Sequence, residues 1–142
     1  MNLVFIIDEG SVFNAPLEKV WKLNASEGEH NHASLKNLRG GQEGDHPTLM
    51  YETAMPDGSW VKHKIRLSLF PPLGIVFETI EGPLSGSKSI QYYTPKGDKT
   101  AVTVVGNWTS TMGVPDALLQ QSVMGFLDTV FKEDLNNLAK MQ

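Results

Sequence analysis

The amino-acid sequence predicts an α+β fold, in which a curved antiparallel sheet of about seven strands wraps around one long C-terminal helix. The first observation is a series of Gly- and Pro-containing turns between residues 35 and 110, which separate β-rich runs of about eight to twelve residues. The second is a change to a helical period after Gly113, where apolar residues recur at spacings of three and four as far as Leu138. No internal repeat or linker interrupts this order, so residues 1–142 are expected to form a single domain.

The N-terminal segment predicts one strand followed by one or two short helices. Residues 2–13 are rich in β-branched and apolar side chains and end at Asn14-Ala15-Pro16, which cannot continue a strand. Pro16 suits a first helical turn, and Leu17, Val20 and Trp21 then follow at helical spacing. Residues 25–34 are polar and predict either a loop or a second short helix.

The segment Ser59 to Phe70 is the clearest strand. Val61, His63, Ile65 and Leu67 alternate with polar residues, so one face of this strand is covered and the other faces water. Apolar residues fall on both faces of residues 3–13 and 100–110, so the inward face of these two strands stays open. Of Tyr92 and Tyr93 only one can point inward, and the sequence does not decide which.

The last helix is predicted from Pro115 to about Ala139, a length of about 37 Å that crosses a whole small sheet. A curved sheet and a straight helix do not meet closely everywhere, so a cavity is expected between them. Gly125 costs this helix about 1 kcal/mol relative to alanine. Close approach of a ligand or of the sheet to the helix backbone would explain why glycine occupies this position.

Composition and charge exclude several classes of function. Twelve Lys and Arg against sixteen Asp and Glu give a net charge of −4, which argues against a nucleic-acid partner. No cysteine is present, so disulfides, thiolate metal sites and cysteine nucleophiles are excluded. No apolar run approaches the roughly 20 residues of a membrane-spanning helix. The opening run lacks the basic flank of a signal peptide. We therefore expect no membrane insertion and a cytoplasmic location.

Four segments together resemble the START-like, pollen-allergen-like superfamily also called SRPBCC. They are the strand-to-helix opening Val12–Trp21, the Pro71-Pro72 break, the turn Gly97–Thr100 and the helix end Phe131–Leu138. The resemblance covers nearly the whole chain. It implies a helix-grip fold, whose long C-terminal helix closes a hydrophobic pocket used for lipids, steroids, polyketides or plant hormones. Some members only bind or carry ligands, whereas others are aromatases, cyclases or co-chaperone-like activators, so the fold does not choose a function.

The candidate ligand-binding residues come from the covered face of the sheet and the apolar stripe of the last helix. His63 can donate to a ligand carbonyl, or act as a general base if its pKa lies near neutrality; a satisfied core histidine is the alternative. A buried Tyr51 beside a cavity needs a polar partner, which a ligand could supply. The full set is Tyr51, Val61, His63, Ile65, Leu67, Leu119, Val123, Phe126, Leu127 and Val130.

A metal site has only weak support. Glu27, Glu29, His30 and His32 carry metal-binding atoms, but four ligands would require the distant His46. A solvated loop is the favoured interpretation, and neither a metal nor a cofactor is predicted.

Three functions follow from these observations. The favoured hypothesis is binding or transport of a small hydrophobic or amphipathic molecule between the sheet and the last helix. The first alternative is an enzyme of the polyketide cyclase, aromatase or dehydratase type that uses the same pocket. The second is a co-chaperone-like protein-interaction module that uses an exposed sheet face or edge. The sequence favours a non-enzymatic protein over an enzyme and leaves the ligand, the cavity size and the oligomeric state open.

Overall fold

A computed structural model describes residues 3–25, 32–55 and 57–141. Within these residues the chain forms seven strands and two helices. The elements are β1 (Val4–Phe13), α1 (Leu17–Ala25), β2 (Lys36–Glu43), β3 (His46–Ala54), β4 (Trp60–Phe70), β5 (Gly74–Glu81), β6 (Lys88–Lys96), β7 (Lys99–Trp108) and α2 (Asp116–Lys140).

All seven strands belong to one antiparallel sheet, in the order β1-β7-β6-β5-β4-β3-β2. Strands β2 to β7 form a meander, and β1 pairs with β7 at the far edge. The predicted α+β fold with about seven strands and one long C-terminal helix is therefore confirmed. The segment for which the sequence allows either a loop or a second short helix consists mainly of residues 26–31, which lie outside the described residues. Neither α1 nor α2 has the length and apolar character that crossing a bilayer requires.

The structure assigns the inward faces that the sequence left open. On β4 the residues His63, Ile65 and Leu67 are buried, as the alternation predicts. On β6 Tyr93 is 3% exposed on the helix side, whereas Tyr92 is 42% exposed on the opposite face. Even-numbered residues of β7 from Thr100 to Trp108 and of β1 from Val4 to Ile6 also face the helices.

The helix α2 packs on one half of the sheet. Its buried residues Leu119 and Val123 contact a cluster from β1 and β7 that includes Ile6, Val104 and Trp108. Burial of each such large apolar side chain stabilises the fold by about 1.5–3 kcal/mol. The C-terminal end of α2, α1 and the adjoining ends of β1, β6 and β7 form a second cluster.

The other half of the sheet has its own apolar cluster. Leu49, Ile65, Leu67 and Ile75 from β3, β4 and β5 pack together, with Trp21 of α1 beside them. The two halves of the sheet therefore have separate apolar clusters, and α2 packs mainly on the half that contains β1 and β7.

Candidate ligand-binding site

The apolar stripe of α2 is buried near both ends of the helix but only half-buried between them. Leu119, Val123 and Leu138 are each at most 5% exposed. The intervening apolar residues that face the sheet are half-buried, namely Met124, Phe126, Leu127, Val130, Phe131 and Leu135. Well-packed protein interiors leave few voids larger than a water molecule. The middle of α2 therefore has apolar surface that the sheet does not cover completely.

A cavity of about 40 Å³ lies beneath this part of α2. Apolar side chains form most of its wall, and four polar residues gather on it. A volume of this size holds about three water molecules and is well below the roughly 300–1,000 Å³ of typical ligand pockets. The lining residues are Asp8, Ser11, Phe13, Gln91, Val102, Val104, Leu127, Val130, Phe131 and Asp134.

A bulge in β1 places two of these polar residues on the cavity. The register of β1 against β7 shifts between Asp8 and Ser11, and Glu9 and Gly10 project into solvent. Side chains in a regular strand alternate between faces, so residues 8 and 11 would point to opposite sides. Because the bulge inserts an unpaired residue, both Asp8 and Ser11 face the cavity.

The surroundings of Asp8 in the cavity disfavour the charged form of its carboxyl group. Burial raises the pKa of Asp8, and the nearby carboxylate of Asp128 raises it further. The side chain of Gln91 donates to the hydroxyl oxygen of Tyr93 at 2.8 Å. The cavity therefore offers a few hydrogen-bonding groups among apolar walls, which suits an amphipathic molecule.

A stack of three rings bridges the sheet and α2. Tyr51 of β3 stacks on His63 of β4 with ring centroids 5.1 Å apart, and Tyr51 stacks on Phe126 of α2 at 6.5 Å. The Nε2 atom of His63 lies 2.8 Å from the hydroxyl oxygen of Thr53. Burial lowers the pKa of His63, because the charged imidazolium is poorly solvated there. The neutral imidazole is therefore the form that this site holds at neutral pH.

Gly82 makes room for this histidine. Its φ of +112° lies in the region that side chains rarely adopt. A Cβ atom at this position would lie 2.5 Å from the carbonyl oxygen of Lys62 and 3.4 Å from Nδ1 of His63. Glycine at this position therefore permits the close approach that places His63 against β5.

A carboxylate clamp holds the end of α2 that closes the cavity. Glu133 accepts hydrogen bonds from the backbone N–H of Ser34 at 3.0 Å and from its hydroxyl at 2.8 Å. Nδ1 of His32 lies 2.7 Å from Glu133, and its Nε2 lies 3.2 Å from Asp134, which also lines the cavity. The segment that precedes β2 is thereby tied to α2 beside the site.

Comparison with solved structures finds the same architecture in several proteins. A START superfamily protein from Mycobacterium smegmatis has a TM-score of 0.84 at 11% identity, over 99% of this chain and 100% of that chain. The Zhui aromatase/cyclase from Streptomyces sp. R1128 has a TM-score of 0.79 at 10% identity, over 98% of this chain and 95% of that chain. Ara h 8.0201 has a TM-score of 0.78 at 12% identity, over 99% and 100% of the two chains. The chain has the START-like helix-grip fold.

The START-like architecture is thus the one that the sequence resemblance implies. No protein-family model matches the chain, and no curated protein sequence does. The TM-scores of 0.78–0.84 establish the shared fold, whereas identities of only 10–12% leave the function of this chain to be argued from its own site.

Within the START-like fold the predicted binding residues divide into three groups. Tyr51, His63 and Phe126 come together in the ring stack, and Leu127 and Val130 line the cavity. The remaining residues lie elsewhere on the covered face. Ile65 and Leu67 belong to the cluster on β3–β5, Leu119 and Val123 belong to the cluster on β1 and β7, and Val61 is half-buried on β4.

Sequence reasoning missed the polar wall of the cavity. Asp8, Ser11, Gln91 and Asp134 line the cavity but are not among the residues that the sequence predicts for the site. The combination of Asp8 with Gly10 inside an otherwise β-rich run is the available signal, because an isolated glycine in a strand often marks a bulge.

The suggested role of Gly125 is wrong. This glycine lies on the exposed face of α2, and a Cβ atom there would meet nothing within 4 Å. Neither the sheet nor the described cavity approaches it.

The proposed metal ligands do not form a site in the described part of the chain. Glu27, Glu29 and His30 lie outside the described residues, and His32 faces Glu133 and Asp134. The ring nitrogen Nδ1 of His46 lies 3.1 Å from the carbonyl oxygen of Leu67. Among residues 3–25, 32–55 and 57–141, no group of three or more His, Asp or Glu side chains is arranged to hold a metal ion.

Proposed function

We propose that this protein binds a small hydrophobic or amphipathic molecule between the sheet and α2. The observation that carries the proposal is the half-buried apolar stripe in the middle of α2, above a cavity whose mostly apolar wall includes a few polar residues. A ligand that covers this stripe gains about 25 cal/mol for each Å² of apolar surface removed from water. The polar residues Asp8, Ser11 and Gln91 orient the molecule through hydrogen bonds.

Binding requires the cavity to expand. Its volume of about 40 Å³ is too small for a molecule of more than a few heavy atoms. The half-buried residues Phe126, Leu127 and Val130 are the side chains that can move without disrupting the fully buried contacts of Leu119 and Val123. The ligand therefore displaces the middle of α2 while the two ends of the helix stay packed.

A titration with the neutral apolar probe N-phenyl-1-naphthylamine tests this proposal. We expect saturable fluorescence enhancement with one probe per chain. Replacing Val130 with Phe fills the cavity from the helix side and is expected to weaken binding at least tenfold, a change of about 1.4 kcal/mol. The matched control is Leu118→Phe, which enlarges a side chain that is 53% exposed on the same helix and leaves the affinity unchanged.

Two results would overturn the proposal. One is the absence of saturable probe binding to the folded wild-type protein. The other is equal binding by the wild type and Val130→Phe, which would place the probe on the outer surface.

A second candidate function is catalysis of the cyclase or dehydratase type at the ring stack. It is supported by His63, whose neutral imidazole can accept a proton at neutral pH and lies beside the hydroxyl of Thr53. This function depends on a neutral His63, and comparison of the pH dependence of unfolding between the wild type and His63→Gln tests that state.

A further inference from the structure

The face of the sheet that points away from α2 carries exposed apolar side chains on three of its strands, β1, β4 and β6. Their exposed fractions lie between 42% and 60%. We call these five residues the outer patch: Phe5, Ile7, Phe70, Ile90 and Tyr92.

The strand register makes the outer patch continuous. Ile7 of β1 pairs with Val105 of β7, and Val105 pairs with Ile90 of β6. On its other side, Ile90 pairs with Val76 of β5. In the neighbouring row Tyr92 pairs with Gly74, which pairs with Phe70. Paired residues lie about 5 Å apart on the same face. The outer patch and its two half-buried valines thus form one apolar surface across β1, β7, β6, β5 and β4.

This surface is independent of the proposed ligand site. Its side chains project from the opposite face to His63, Tyr93 and Val104. Scattered exposed apolar residues are normal on proteins, but a contiguous patch of several hundred Å² marks an interaction surface.

We propose that the outer patch is the interface of a homodimer, in which two copies of this chain pack sheet against sheet about a two-fold axis. The same patch on both copies is self-complementary under this symmetry. Two sheets that pack face to face bury their apolar sides at a spacing of about 10 Å, as in β-sandwiches.

The available area matches a dimer. With about 200 Å² for each large side chain when fully exposed, the five exposures give an apolar centre of about 500 Å² per copy. A stable interface of standard size buries about 800 Å² per partner, with an apolar centre and a polar rim. The side chains around the patch supply the remaining area.

The charges beside the patch also favour a second copy. Lys88 of β6 lies opposite Glu78 of β5 in the strand register, and the guanidinium of Arg66 lies 3.5 Å from the carboxylate of Glu78. A rim that carries charges of both signs can face the same rim of a second copy. Rotation about a two-fold axis can bring a lysine of one copy towards a glutamate of the other. The net charge of −4 also gives the chain no overall attraction to an anionic membrane.

Sedimentation velocity over a concentration series, from low micromolar to several hundred micromolar, tests the proposal. We expect the wild type to sediment as a dimer at high concentration. Ile90→Glu places a charge at the centre of the patch and is expected to leave a monomer with unchanged circular dichroism and unchanged probe binding. Phe5→Ser on β1 is a second variant and weakens the dimer at least tenfold. The matched control Leu118→Glu changes an equally exposed residue on α2 and remains dimeric.

Several outcomes would overturn the proposal. One is a wild type that stays monomeric at several hundred micromolar. Another is a dimer that neither Ile90→Glu nor Phe5→Ser weakens. Co-sedimentation of the monomeric wild type with vesicles of phosphatidylcholine and phosphatidylserine, lost in Ile90→Glu, would assign the patch to a membrane surface instead.

Discussion

His63 is a buried histidine for which the folded chain favours the neutral form. Its pKa is lower in the folded protein than the value of about 6.5 expected in the unfolded chain. Unfolding therefore takes up a proton at mildly acidic pH. The stability that neutral His63 contributes is complete above about pH 6.5 and is lost as the pH falls through the lower folded pKa.

We expect this loss to disappear when His63 is replaced with Gln. The free energy of unfolding of both proteins is measured in urea at several pH values between 8 and 5. At each pH the value for His63→Gln is subtracted from the value for the wild type. Because other titrating groups are shared, this difference is expected to fall as the pH is lowered through the region below 6.5. A difference that is constant over the whole range would show that His63 is not held neutral by burial.

At the scale of single residues, regular alternation was the useful guide. It placed His63, Ile65 and Leu67 on the covered face correctly, because β4 is regular over these positions. It could not place Asp8 and Ser11 together, because the bulge between them changes the face of every later residue in β1. Alternation alone could not decide whether Tyr92 or Tyr93 faces inward. That choice depends on how β6 pairs with its neighbouring strands, which is a property of the folded sheet.

At the scale of elements, the carboxylate clamp of Glu133 connects α2 to the segment before β2. Glu133→Ala removes two hydrogen bonds from Ser34 and the contact with His32. Hydrogen bonds to charged groups each contribute about 1.5–3 kcal/mol, so we expect a loss of at least 2 kcal/mol in the free energy of unfolding. Hydrogen exchange of the Ser34 amide is expected to become faster.

Lys132→Ala is the matched control for this experiment. Lys132 is the neighbouring residue on α2, and its ion pair with Asp128 at 3.0 Å is largely exposed. Its removal is expected to change stability by no more than about 0.5 kcal/mol. Equal effects of the two substitutions would contradict a structural role for the clamp.

The order and type of the elements followed from local signals. Turns rich in Gly and Pro separate β2 to β7, and Pro115 immediately precedes α2, which begins at Asp116. The clamp itself could not be predicted, because it joins Ser34 to Glu133 from distant parts of the chain. No local period or turn signal reports such a contact.

At the scale of the whole molecule, a bound ligand shifts the unfolding equilibrium. A probe that binds only the folded chain adds about 2.7 kcal/mol at a free concentration one hundred times its Kd. For a chain of 142 residues this corresponds to a rise of about 8 °C in Tm. We expect N-phenyl-1-naphthylamine to produce this rise in the wild type and little change in Val130→Phe, as followed by far-UV circular dichroism. An unchanged Tm at saturation would show that the probe does not favour the folded state.

The pairing of β1 with β7 also determines when the sheet can be completed during synthesis. Val4 pairs with Trp108 and Phe13 with Thr100, so β1 has no strand partner until nearly the whole meander has left the ribosome. Closing so long a loop is slow, because its entropy is lost before the contacts form. The meander β2 to β7 can assemble from neighbouring hairpins in the meantime. The emerging chain therefore holds β1 as an unpaired apolar strand until β7 has been synthesised, which makes completion of this START-like fold dependent on the timing of β7 and α2.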